Sequence, residues 1–190
     1  MKKNSMIVLI WIFAIFSTAA FSEDWKKKLE DNKMIQKMDK IEVINKKIVI
    51  DGMYIRKVRI TKIMCDTFTG TSEIMVTKKD LEDSFKRKNK DIKSITLKIN
   101  SNGVLIGEGE ANVLGSTMDV YIEGTFYFDI GRKDITYKIT KATVSGFIPV
   151  PQSILDKFSK KLNPIFDVDK IGLPLNVTKV IYESDKIIIK

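Results

Sequence analysis

Along residues 117–130, TMDVYIEGTFYFDI, every even position is apolar or glycine and every odd position is polar or tyrosine. A period of two marks a β-strand with one buried face, and this run far exceeds the usual ~5–6 residues. Its neighbours share the pattern. SITLKIN places Ile95, Leu97 and Ile99 on one face, and Ser101-Asn102-Gly103 then turns the chain. A two-residue loop would bring Glu108 and Glu110 onto that apolar face. A three-residue loop with Gly103 left-handed instead pairs Ile99 with Leu105, Leu97 with Gly107 and Ile95 with Gly109, and this register is the one expected. A turn at Gly115-Ser116 would set Val113 opposite Met118, Ala111 opposite Val120, Gly109 opposite Ile122, Gly107 opposite Gly124 and Leu105 opposite Phe126. Past Gly131-Arg132-Lys133-Asp134, Ile130 would face Ile135, Phe128 would face Tyr137 and Phe126 would face Ile139. Beyond Thr140 the apolar parity flips to Ala142 and Val144. A β-bulge opposite Gly124 would produce that flip.

Gly107, Gly109 and Gly124 therefore cluster on the inner face of a long meander. Interior glycines and a bulge let a sheet bend sharply and leave room above it; equally, they let a helix approach closely. The expected fold class is α+β, mostly β: a long, strongly curved antiparallel meander forming a half-tube, with two or three helices, one of them covering the concave apolar face.

The remaining segments supply the helices and further strands. Trp25, Leu29, Met34, Ile35 and Met38 suggest a short lysine-rich amphipathic helix, suited to docking on its own domain or to lying on a membrane surface. Residues 41–50 and 53–64 read as strands around a turn at Asp51-Gly52, and EIMV (73–76) ends another. Thr77 with Asp80 three residues on makes a capping box for the helix KKDLEDSFKRKNK, whose buried stripe is Leu81 and Phe85. In PVPQSILDKFSKKLNP, prolines bound a helix with Ile154, Leu155, Phe158 and Leu162 on one stripe, a candidate for the cover. LPLNVTKVIYES and KIIIK form a last hairpin around Ser184-Asp185.

Composition narrows the function. The 190-residue chain opens with Lys2-Lys3, an apolar run from Ile7 to Phe16, and Ala20-Phe21-Ser22. This is the order of a secretory signal peptide cleaved after Ser22, or of a retained anchor near the lower limit for a membrane span. The expected domains are a leader, 1–22, and a single unit, 23–190, in the periplasm, cell envelope or extracellular space. There is no histidine and one cysteine, Cys65. Histidine-based triads, bases and metal sites are thereby excluded, as is an internal disulfide. No catalytic residue, metal or cofactor is expected. The net charge is +9, which suits an anionic membrane surface and equally a biased composition. No nucleic-acid motif is present, and the pattern sets no oligomeric state.

The stretch from about 73 to 190 resembles the LmeA-like phospholipid-binding proteins of bacteria. The likeness is carried by EIMVTKKDLEDSF, ITLKINSNGVLIGEGEANVLG, ATVSGFIPVPQSILDKF, and the ending LNPIFDVDKIGLPLNVTKV with Pro164, Asp167, Leu173, Pro174 and Leu175. It implies an exported envelope protein with a curved fold of the tubular lipid-binding kind and a phospholipid or other acyl-chain ligand. The wall of such a groove is expected from Leu97, Leu105, Gly107, Gly109, Val120, Ile122, Gly124, Phe126, Phe128, Tyr137, Ile139 and Phe158, with Arg132 and Lys133 at a head-group rim. The alternative is a non-catalytic interaction or scaffold module whose groove is filled by the protein itself; cavity volume separates the two. A two-carboxylate glycosidase using Glu108 and Glu110 is the least favoured reading.

Overall fold

The computed structural model describes residues 24–190 apart from Leu114, Ile130 and Arg132. The expected leader, the rim residue Arg132 and the side chain of Leu162 thus lie outside the described residues. The fold is α+β and mostly β: two antiparallel sheets and three helices.

The first sheet holds β1 (Ile35–Ile44), β2 (Lys47–Ile55), β3 (Val58–Asp66), β4 (Ser72–Thr77), β11 (Val180–Tyr182) and β12 (Lys186–Ile189), in the order β1-β2-β3-β4-β12-β11. Its two tight turns are Asn45-Lys46 and Arg56-Lys57, with all four residues at positive φ, the backbone that lets a two-residue loop follow the strand twist. The expected turn at Asp51-Gly52 is therefore not one. Both residues lie inside β2, where Gly52 has a φ of 73° and the Asp39 carboxylate occupies the place of a β-carbon. The N-terminal helix is also shorter than expected. Helix α1 covers 24–30 and fully buries Leu29, whereas Ile35 and Met38 belong to β1.

Helix α2 (Lys78–Lys88) follows β4 directly, and its capping box is formed as expected: the Thr77 side chain accepts from the Asp80 N–H, and the Asp80 carboxylate accepts from the Thr77 N–H. Leu81 and Phe85 are buried.

The second sheet has the order β10-β8-β7-β6-β5, comprising β5 (Ile92–Ile99), β6 (Val104–Val113), β7 (Ser116–Asp129), β8 (Asp134–Val144) and β10 (Phe166–Asp167), with the two-residue β9 (Ile148–Pro149) also paired to β8. The β5–β6 register is the expected one, Ile99 with Leu105 and Leu97 with Gly107, around Gly103 at φ 80°. The bulge is present too: Gly124 pairs with Ile139 but Glu123 with Lys141, leaving Thr140 over. The other two hairpins are each shifted by two residues. Val113 pairs with Ser116, so Leu105 faces Gly124 and Gly107 faces Ile122. Phe128 pairs with Ile135 and Phe126 with Tyr137.

The strong curvature expected of this meander is absent, since neither sheet is strongly curled. Its apolar face closes instead against α2 and the first sheet, in one core that joins Ile50, Ile60 and Ile74 to Leu97, Leu105 and Tyr137. Helix α3 (Gln152–Leu162) is not the cover. It runs beside β8, at the edge of the sheet.

Candidate functional site: a filled apolar face and an exposed rim

Cross-strand pairing puts six of the predicted wall residues on one face in two rows completed by Ile99 and Ala142, Ile99–Leu105–Gly124–Ile139 and Leu97–Gly107–Ile122–Ala142. Val120 lies beyond Gly109, and Phe126 and Phe128 lie on the far side of Gly124. Leu97, Leu105 and Tyr137 are fully buried, and Phe126 and Ile139 nearly so. Gly107 and Gly124 are buried, while Gly109, Val120, Ile122 and Phe128 are half-buried.

The glycines leave no open space. A β-carbon on Gly124 would stand 2.6 Å from the ring and hydroxyl of Tyr137, and one on Gly107 would stand 2.7 Å from the Ile122 side chain. The Tyr137 ring thus lies where the bent sheet was expected to hold a ligand. Its hydroxyl donates to the Leu105 carbonyl at 3.3 Å. The ring meets Phe126 at 4.9 Å between centroids and Phe85 of α2 edge-on at 5.9 Å, an arrangement aromatic quadrupoles favour. Burial also pushes the Tyr137 phenol well above its ordinary pKa, so it acts as a neutral donor. What remains at the seam between the sheets is an apolar crevice of about 20 Å³, bordered by Val58, Leu81, Phe126, Phe128, Ile135 and Ile187. A site for even a benzene-sized ligand needs about 150 Å³.

Helix side chains occupy both edges of this sheet. On β5, the Glu82 carboxylate accepts from the Leu97 N–H at 2.9 Å. On β8, Asn163 just past α3 accepts from the Tyr137 N–H and donates to the Tyr137 carbonyl, both at 2.7 Å, and Ser159 Oγ accepts from the Ile139 N–H. Leu155, Ser159 and Asn163, spaced i, i+4, i+8, therefore form the seated face of α3. The expected stripe rotates outward as a result. Leu155 is buried, but Ile154 and Phe158 are each 41% exposed, so Phe158 is not part of the apolar wall. With Phe147 (78%) and Ile148 (50%) in the β8–β9 segment just before it, they make four exposed large apolar side chains within twelve positions. Phe147 and Ile148 were not singled out by the alternation, because both fall in a turn and a two-residue strand. The legible signal was chemical: large apolar residues beside Gly146, where a turn is ordinarily polar.

Polar groups elsewhere have structural partners. Asp80, buried, receives hydrogen bonds from the Thr61 and Thr77 hydroxyls and lies 2.9 Å from Arg59. Burial alone would raise its pKa, but these bonds outweigh it and hold the carboxyl low. The ring of Tyr54 has three cations around it: Arg87 at 5.1 Å, with Arg59 and Lys37 each at 5.9 Å. Burial pushes the Cys65 thiol up to about 11, leaving it largely protonated and unreactive. Glu108 and Glu110 are exposed on the outer face, Glu108 in an ion pair with Lys98 at 3.0 Å. Lys133, the other rim candidate, pairs with Asp169 at 3.1 Å. No group of three potential metal ligands and no membrane-crossing helix occurs among the described residues.

Comparison with protein families, with curated proteins and with solved structures finds no match to this chain. The likeness to the LmeA-like proteins rests on the order of the motifs alone.

Proposed function

We propose that this protein is an exported, non-catalytic module of the bacterial cell envelope that works through surface contact with a partner, its apolar groove being filled by its own side chains. The observation that carries this reading is the Tyr137 ring lying over Gly124, with about 20 Å³ left at the seam. The N-terminal order of charge, apolar run and small residues supports export. The absence of histidine from the sequence and the raised thiol of Cys65 support a role without chemistry.

Native mass spectrometry of the mature chain, with lipid extraction of the same sample, tests the proposal. Bare protein, with no lipid molecule extracted from phospholipid vesicles into the chain, is expected. A reproducible phospholipid adduct would overturn it in favour of the second reading, in which an acyl chain enters between the sheets. That reading draws on the largely apolar border of the seam and on the family resemblance. It requires the crevice between Leu81, Phe126 and Ile187 to widen well beyond its volume of about 20 Å³.

A further inference from the structure

Resting on the surface-contact reading, we infer that the contact surface is the strip Phe147, Ile148, Ile154 and Phe158 with Lys157 and Lys160, and that its partner is an anionic phospholipid bilayer. Three observations converge on it. The four apolar side chains are 41–78% exposed, and they fall on one continuous stretch that runs antiparallel along β8 through β9 into α3. Ile154 and Phe158, four apart, share one face of the helix, next to the seated line of Leu155, Ser159 and Asn163.

The charge carried by this stretch is net positive, with Glu110 and Asp119 lining the cleft that Gly146 borders. Between Ser145 and Asn163 the only acid is Asp156, which accepts from Gln152 at 2.9 Å, whereas Lys157 and Lys160 are exposed. A protein partner would cover such tips with an apolar pocket of its own. Phenylalanine and isoleucine tips bordered by lysines instead fit the boundary between acyl chains and anionic head groups. The seating of α3 on β8 keeps these tips turned away from the core, so insertion needs no unfolding.

The test is vesicle flotation of the mature chain, 23–190, using phosphatidylcholine vesicles with and without about one-third phosphatidylglycerol. Three proteins are compared: wild type, F147S/F158S and K157Q/K160Q, each checked for an unchanged urea midpoint because the altered residues lie outside the core. Wild type should float with the anionic vesicles at least tenfold more strongly than with the neutral ones. F147S/F158S should lose at least tenfold on the anionic vesicles. K157Q/K160Q should lose most of the preference for negative charge. A wild-type protein that floats with neither vesicle overturns the inference, as does an F147S/F158S variant that floats like wild type. A phospholipid carried one per chain in the native mass spectrum would defeat the filled-groove reading separately, and the serine variant would still decide the strip.

Discussion

Replacing Gly124 by alanine tests whether the apolar face is filled or merely covered. The added methyl would lie 2.6 Å from both the Cζ and the hydroxyl of Tyr137 and 2.5 Å from the Lys138 carbonyl. One obstacle is a ring wedged between Phe85 and Phe126 and the other is strand backbone, so neither can give way cheaply. Overpacking of this kind costs about 1–3 kcal/mol. Alanine recovers about 0.5–1 kcal/mol because it loses less chain entropy than glycine, leaving a net loss of about 0–2.5 kcal/mol, centred on ~1 kcal/mol. With a urea slope of about 1–3 kcal/mol/M, the unfolding midpoint should fall by roughly 0.5–1 M, followed by far-UV circular dichroism. The same substitution in a Tyr137→Leu background should cost at least ~0.5 kcal/mol less, since contacting residues couple on that scale. An equal cost of Gly124→Ala in both backgrounds would refute the claim that Tyr137 occupies this space.

Four further outcomes follow from the geometry. Asp80→Ala removes the helix cap and leaves Arg59, Thr61 and Thr77 without their acceptor, and should cost about 2–4 kcal/mol in urea titrations. Because the Asp80 pKa is lowered from its ordinary 3.8, its contribution is complete above that pH and is lost as pH falls through the folded value; the variant should be less acid-sensitive than wild type below pH 3.8. Lys88 is pushed down to about 8 by burial and then by Arg56, from an ordinary 10.5. Wild-type stability should therefore gain a rising component between pH 8 and 10.5, where only the unfolded chain keeps the proton, and Lys88→Gln should lack that component and be the more stable at pH 7. Lys57→Gly relieves a non-glycine residue at φ 67° and should stabilise by about 0.5–1 kcal/mol, read as a raised melting temperature. Asn163→Ala leaves the Tyr137 N–H and carbonyl unpaired at the edge of β8 and should cost about 1–3 kcal/mol.

Legibility in the sequence followed the physics of parity. For β5–β6 the two candidate registers differed by one residue, which would have exposed the apolar set and buried Glu108 and Glu110, so the pattern chose correctly. The β6–β7 and β7–β8 registers differ from expectation by two residues. A slip of two leaves every side chain on its own face, and only turn geometry distinguishes such alternatives. The bulge was visible because it breaks parity. The turns Asn45-Lys46 and Arg56-Lys57 were not, because lysine and arginine rarely take positive φ, while Asp51-Gly52 carried the ordinary turn signal and was used within a strand. Of the predicted wall, Leu97, Leu105, Phe126, Tyr137 and Ile139 come together as expected, but as packed core. Alternation locates a buried face and says nothing of what fills it. Phe158 fell outside because α3 is seated through Ser159 and Asn163, and polar anchors on a sheet edge leave no trace in a hydrophobic pattern.

Those anchors turn two backbone amides into reporters. In an ordinary strand, the outward amides of Tyr137 and Ile139 would meet either another strand or water. Here each N–H is held by one side chain of the α3 segment, Asn163 for the first and Ser159 for the second. Their exchange with deuterated solvent is consequently governed by the lifting of that segment from the sheet, an opening far smaller than global unfolding. Slow exchange at both positions would mark the helix as seated, and joint acceleration would mark its departure. Two backbone signals would thus follow the motion of a whole helix while the sheet beneath it stays folded.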